Sequence, residues 1–304
     1  MVLDVRGEPG LPAAVGSLLE QSEPVELVVV SSGGVGAAAA LRRAGLGVRV
    51  IEREERLFPG AARNVGVAAT SAPYVAFLAA DCVASPGWAA GRLREHRRGA
   101  VGVACAMASA EPRSSAANAA LLLLHNRRLP STPPRLRLFY GVSYPREALE
   151  RIGPFRPDVR AGEDSQLNTA LRGELATVFA ADVVCRHRYP TTTGALLSDM
   201  LRRGRLRAAL RRSSREKPDW SLALSALRNV RRALEQARMV PEPARRRALL
   251  AARPLVVAGG LAYAAGAATE RWRPTRLRES RYRELPTTRG RRRSRAQGEA
   301  GRRG

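Results

Sequence analysis

The chain has 304 residues, 45% of them hydrophobic and only 5% aromatic, and carries a formal charge of +25. That length holds one core of about 200 residues plus a further segment, and the apolar share excludes a chain disordered throughout. The charge calls for an anionic partner such as a nucleotide diphosphate, acidic lipid or nucleic acid; it is almost all Arg, Lys217 being the lone lysine, so genome composition competes as its cause.

In chain order, apolar runs predict strands over 2–5, 26–31, 48–52, 74–79 and 100–106. Ala-rich stretches of helical composition lie between them, over 11–21, 35–44, 61–71 and 88–97, punctuated by Gly45, Gly47, Pro59 and Pro73. Alternating strands and helices of this kind predict βαβ units, hence an α/β fold with a mostly parallel sheet and helices on both faces. Residues 118–138 read as an irregular insertion containing Pro130, Pro133 and Pro134, a candidate substrate lid. A helix-bearing block over 144–172 and a short strand over 177–184 complete the first domain, 1–193.

Beyond residue 193 the character changes to basic helices, 196–212 and 221–238, within an extension over 194–247. Residues 248–270 form an apolar segment interrupted by Arg253 and Pro254. Its uninterrupted run of about 16 residues is short of the roughly 20 needed to span a bilayer. It therefore reads as an interfacial hairpin, a short span or a helix packed on the core. Residues 271–304 contain 13 arginines and few apolar residues, and are expected to be disordered and to favour anionic lipid.

Cys82, Cys105 and Cys185 are odd in number and widely spaced, which argues against a disulfide framework or a C-x-x-C metal site and fits a reducing compartment. Residues 1–10 include Asp4, Arg6 and Glu8 and lack the apolar centre of a signal peptide, so a cytoplasmic catalytic part is expected. The few scattered aromatics offer no base-stacking platform, and no recognition-helix or zinc-finger spacing occurs, so nucleic acid is not an expected partner.

Four stretches place small or acidic residues at the carboxyl ends of predicted strands, where open α/β sheets bind ligands. Ser31, Ser32, Gly33 and Gly34 would let a nucleotide approach the backbone, though any strand-to-helix turn looks alike. Ala80-Asp81-Cys82 puts an acid directly after an apolar strand, either a cap or a holder of a divalent metal beside a diphosphate. Glu163 and Asp164 follow Gly162 at a helix start, where acids cap but where a pair also fits a general base. Arg186-His187-Arg188 sets a potential metal ligand between two phosphate-binding guanidiniums.

Together these stretches resemble family 2 glycosyltransferases of the GT-A fold over roughly residues 2–204. The family's ARNxG is matched by Ala62-Arg63-Asn64-Val65-Gly66, and its FLDADD is similar to Phe77-Leu78-Ala79-Ala80-Asp81-Cys82. Its L..IG.F resembles Leu149 to Phe155, and its GED..L is intact from Gly162 to Leu167. The resemblance implies an inverting transfer of sugar from a nucleoside diphosphate sugar to an acceptor hydroxyl, lipid-linked or saccharide. Asp164 would be the base, with Glu163 beside it, and Asp81 and His187 would hold Mn2+ or Mg2+. Donor contacts are expected from Ser31, Ser32, Gly33, Arg63, Asn64, Asp81, Arg186 and Arg188.

Three departures bear on that expectation. Ser31 and Ser32 stand where the family has an acid for the nucleoside, and Ala79 and Cys82 replace acids near the metal. Metal binding should then be weakened or dispensable, with Arg186, Arg188, Arg202 or Arg203 taking part of the diphosphate charge. The alternative is an inactive relative that binds nucleotide sugars or acts as a scaffold. The basic, apolar C-terminal region places the enzyme at the inner face of the cell membrane, in polysaccharide or glycolipid synthesis.

Overall fold

The computed structural model describes residues 1–4, 7–139, 141–159, 162–171, 177–213 and 220–270; the expected disordered tail, 271–304, lies outside them. Strands β1 (Val2–Asp4), β2 (Val28–Ser32) and β3 (Arg49–Arg53) alternate with helices α1 (Leu11–Leu19), α2 (Ala37–Arg43) and α3 (Pro59–Ala68). Every residue of β2 is buried, which is why it reads as an unbroken apolar run ending in two serines. Strands β4 (Tyr74–Val75), β5 (Leu78–Ala79) and β6 (Cys82–Ala84) come next in quick succession, then α4 (Trp88–Arg97) and β7 (Gly102–Ser109). The chain continues through α5 (Ser115–His125), β8 (Tyr144–Pro145), α6 (Arg146–Ile152), α7 (Glu163–Leu171) and β9 (Thr177–His187).

The order β3-β2-β1-β5 makes a four-stranded, all-parallel sheet. Beside it, β9 runs parallel to β7 and antiparallel to β6, and β4 pairs antiparallel with β8. The expected strand over 74–79 is thus two strands: Tyr74 and Val75 pair with β8, whereas Leu78 and Ala79 pair with β1. The last strand is longer than expected. A register shift between Cys105 and Ala106 keeps β9 paired with β7 as far as His187, so Arg186 and His187 belong to the ladder.

The expected irregular insertion begins as regular helix. Ser114 caps α5 by accepting the Ala117 N–H at 3.2 Å, and the Ala and Leu residues from Ala116 to Leu123 are buried. The prolines act only beyond the end of α5, where residues 126–138 form two short 3-10 turns and loop.

Four C-terminal helices pack over α5: α8 (Thr193–Ser213), α9 (Trp220–Arg238), α10 (Pro243–Ala251) and α11 (Arg253–Thr269). Asn229 on α9 donates to the Leu123 carbonyl at 2.7 Å and accepts from Asn126 at 2.9 Å, while Arg245 on α10 reaches Asn118 at 2.9 Å. Glycines let α8 and α11 meet backbone to backbone: a Cβ on Gly204 would lie 2.0 Å from the Tyr263 carbonyl oxygen. The apolar segment is therefore a bent pair of helices, kinked by 47°. Its inner face is buried at Val256 and Gly259, and its outer face exposes Val257 and Leu261. Among the described residues, no single helix is long and apolar enough to cross a membrane, whereas α10 and α11 together pass that test of length and composition.

Candidate active site

The carboxyl edges of β1 and β5, the start of α7 and the end of β9 surround a cleft of about 470 Å³. Asp4 shapes its rim: this buried carboxylate at the end of β1 accepts the N–H groups of Gly7 and Glu8 at 2.9 and 3.1 Å, and so turns the chain toward the lining residue Glu8.

Asp81 sits in the turn between β5 and β6 and lines the cleft. Its backbone carbonyl accepts the Arg188 N–H at 2.8 Å, fixing the turn to the end of β9. Its carboxylate lies 3.4 Å from His187 Nε2, with side-chain exposures of 32% and 18%. Cys82 is directly opposite His187 across the β6–β9 ladder. The ligand-type atoms of Asp81, Cys82 and His187 all lie within 4.8 Å of one another. The His187 ring stacks on Tyr189 with centroids 4.4 Å apart, and its Nδ1 is buried without a hydrogen-bond partner. A carboxylate, a thiol and an imidazole whose Nε2 faces the carboxylate form a donor set that fits a divalent cation.

Across the cleft, Gly162 at φ +92° turns the chain into α7 and brings Glu163 and Asp164 to the lining. The two acids differ in surroundings. Glu163 is buried and ion-paired with Arg63, whose guanidinium lies 5.4 and 5.3 Å from the ring centroids of Phe77 and Phe155. Asp164 is half-buried at the cleft. Burial lowers the Arg63 pKa from its ordinary value, and the nearby Asp164 carboxylate opposes that shift.

The other expected donor contacts are placed as follows. Asn64 clamps the chain at Phe155, donating to its carbonyl at 2.8 Å and accepting its N–H at 2.9 Å. Ser31 and Ser32 are buried, and the Ser32 hydroxyl accepts the Leu57 N–H at 3.1 Å. Gly33 is exposed and donates to the Arg53 carbonyl at 2.9 Å. Arg186 and Arg188 are exposed and are not among the residues lining the cleft.

Several lining residues escape a reading of the sequence. Arg92 is 3% exposed, donates to the carbonyls of Val103 and Gly141 at 2.6 and 3.0 Å, and lies 4.2 Å from the Trp88 ring centroid. Trp88, Arg92 and His96 are spaced four apart along α4 and are all buried; that spacing was the available signal. Arg128 donates twice to the Cys105 carbonyl, at 3.2 and 2.9 Å. His125 shares a 2.7 Å hydrogen bond with the Tyr189 hydroxyl. Burial holds its imidazole well below the ordinary histidine pKa, and Arg128, His187 and Arg203 push the same way.

A mostly parallel sheet with helices and a cleft at its carboxyl edge gives an α/β fold of the GT-A kind. Residues 5–144 match the family described as glycosyl transferase family 2. That stretch is similar to the family over 140 of the chain's 304 residues, which supports reading the protein as a glycosyltransferase. Glu163, Asp164 and His187 lie beyond the matched stretch. Among solved structures, the chain is similar to the mannosyltransferase PcManGT from Pyrobaculum calidifontis in complex with GDP-Man and Mn2+. The two are 21% identical with a TM-score of 0.56, over 90% of this chain and 87% of that one, a likeness of fold. Weaker likenesses are to glucosyl-3-phosphoglycerate synthase from Mycobacterium tuberculosis in complex with Mn2+, UDP and phosphoglyceric acid (22% identity, TM-score 0.44, 62% and 69% of the two chains). TarS 1–349 from S. aureus in complex with UDP-GlcNAc is similar at 14% identity, TM-score 0.46, over 89% and 90%. No curated protein matches the sequence.

Proposed function

We propose that the protein transfers a sugar from a nucleoside diphosphate sugar to an acceptor hydroxyl with inversion at the anomeric carbon. The observation that carries this reading is the meeting of Asp164 with Asp81 and His187 in one cleft. Asp164 takes the acceptor hydroxyl's proton as its oxygen attacks the anomeric carbon, and the nucleoside diphosphate departs on the opposite side. A divalent cation held by Asp81 and His187 would neutralise charge on the departing diphosphate. Glu163, held by Arg63, positions the start of α7, while Arg92, Arg128 and Arg203 keep the cleft wall cationic.

The acceptor we favour is lipid-linked, presented at the inner face of the cell membrane in polysaccharide or glycolipid synthesis. Two features support it: the exposed Val257 and Leu261 on α11 and the 13 arginines in residues 271–304. A second reading, a relative that binds without turnover, draws on one observation: Ser31 and Ser32 are buried in the fold, so the nucleoside lacks the acid it meets in the family. Turnover of a panel of nucleoside diphosphate sugars with Mn2+, compared with Asp164→Asn, separates the two. Hydrolysis or transfer lost in the variant supports the enzyme; donor binding with no turnover supports the other.

A further inference from the structure

The donor set in the cleft differs chemically from an all-oxygen cation site, and the difference is Cys82. We propose that Cys82 is a third ligand beside Asp81 and His187, and that the site takes a thiophilic divalent ion of the Zn2+ or Co2+ class in preference to Mn2+ or Mg2+. This rests on the reading that Asp81 and His187 hold a cation.

Cys82 and His187 are directly opposed in the antiparallel β6–β9 ladder. Opposed residues project from the same face, with Cβ atoms about 4.5–5.5 Å apart. Asp81 precedes Cys82 in the turn that enters β6, and its carboxylate already lies near both: 3.4 Å from His187 Nε2 and 3.5 Å from the Cys82 sulfur. Metal bonds of about 2.0–2.3 Å set ligand atoms roughly 3.3–3.7 Å apart in a tetrahedral site. The three donors lie within 4.8 Å of one another, so small side-chain rotations close the set.

The ring of His187 is held for this purpose from two sides. Tyr189 stacks on it at 4.4 Å and His125 packs at 5.4 Å, and its Nε2 faces the Asp81 carboxylate at 3.4 Å. Mg2+ and Mn2+ favour oxygen donors in near-octahedral number, whereas this group offers one carboxylate, one imidazole and one sulfur. Thiolate and imidazole ligands select Zn2+ and its chemical neighbours. Cys185 is buried near Cys82 and lies outside the three-residue group.

The test uses the full chain stripped of metal and no sugar donor. Co2+ is titrated while the near-ultraviolet sulfur-to-cobalt charge-transfer band is followed, in the native protein and in Cys82→Ser, Cys185→Ser and Cys105→Ser. The band is expected in the native chain and the latter two variants, and absent in Cys82→Ser. Competition titrations give the Zn2+/Mn2+ affinity ratio, which should fall at least about tenfold in Cys82→Asp as sulfur is replaced by oxygen. Co2+ binding seen by calorimetry without the band, a band that survives Cys82→Ser, or an unchanged ratio in Cys82→Asp would overturn the role of Cys82 and leave the cation reading standing. No binding of any of these ions would overturn both.

Discussion

The Arg63–Glu163 pair offers the sharpest mutational test of how the two acids of α7 divide their work. The pair joins α3 to α7, with side chains 13% and 5% exposed. Arg63→Met keeps an unbranched chain against Phe77 and Phe155 but leaves the Glu163 carboxylate buried without its guanidinium. Removing one member of a buried pair costs about 3–5 kcal/mol, and loss of the cation–π contacts adds about 1 kcal/mol. Glu163→Gln should cost less, about 2 kcal/mol, because Arg63 retains the Asp164 charge nearby. In the double variant neither stranded charge remains, so its destabilisation should be smaller than the sum by about 2 kcal/mol or more. Urea denaturation of the four proteins measures the cycle, and single-turnover assays on the same samples should show Glu163→Gln far more active than Asp164→Asn. Additivity within about 0.5 kcal/mol, or a Glu163→Gln variant as inactive as Asp164→Asn at native stability, would refute the assignment of Glu163 to positioning.

Other predictions are as direct. A Cβ on Gly60 would lie 2.2 Å from the Arg156 carbonyl oxygen and 3.4 Å from Glu163 Cβ, so Gly60→Ala must move the loop before α7 by about 1 Å. The gain in helix propensity, about 1 kcal/mol, is offset by overpacking of about 1–3 kcal/mol; kcat should fall about 100-fold with little change in melting temperature, and unchanged kcat would contradict the placement of α7. His96 and His125 have folded pKa values below the ordinary 6.5, burial being the first cause in each. The unfolded chain then binds more protons below pH 6.5, so stability is full above that pH and falls beneath it. The slope should approach about 1.4 kcal/mol per pH unit for each histidine, as chemical denaturation from pH 7.5 to 5 measures; a flat profile would contradict their burial as neutral rings. Replacing Val257 and Leu261 by Glu should lower cosedimentation with anionic vesicles at least about tenfold without altering turnover of a soluble acceptor, each buried apolar side chain being worth about 1.5–3 kcal/mol. Equal sedimentation would remove α11 from the membrane contact.

The parallel half of the fold is legible in the sequence because β2 and its neighbours are apolar where they are buried, and because glycine and proline mark the turns between them. Residues 74–79 read as one strand because an apolar run does not record a change of pairing partner at Ala76 and Phe77. Residues 118–138 mislead for a different reason: the cluster of prolines hides a capped, buried helix that ends before it. Within the cleft, the acids placed after strands and glycines draw attention to Asp81 and Asp164. Arg92 and Arg128 do not stand out in a chain with 52 basic residues, although the spacing of Trp88, Arg92 and His96 marks one buried face of α4. The partners of Ser31 and Ser32 are illegible, since whether a hydroxyl faces a ligand or a neighbouring N–H depends on the loop brought beside it, here at Leu57.

Turnover of a panel of nucleoside diphosphate sugars by the native chain and by Asp164→Asn is the most direct measurement of all. At least one donor should be turned over with inversion, and Asp164→Asn should lower kcat about 10²–10⁴-fold with donor affinity and melting temperature retained, as expected for a lost general base. Binding of a donor without turnover in the native chain, or full activity in the variant, would contradict a transferase that works through Asp164.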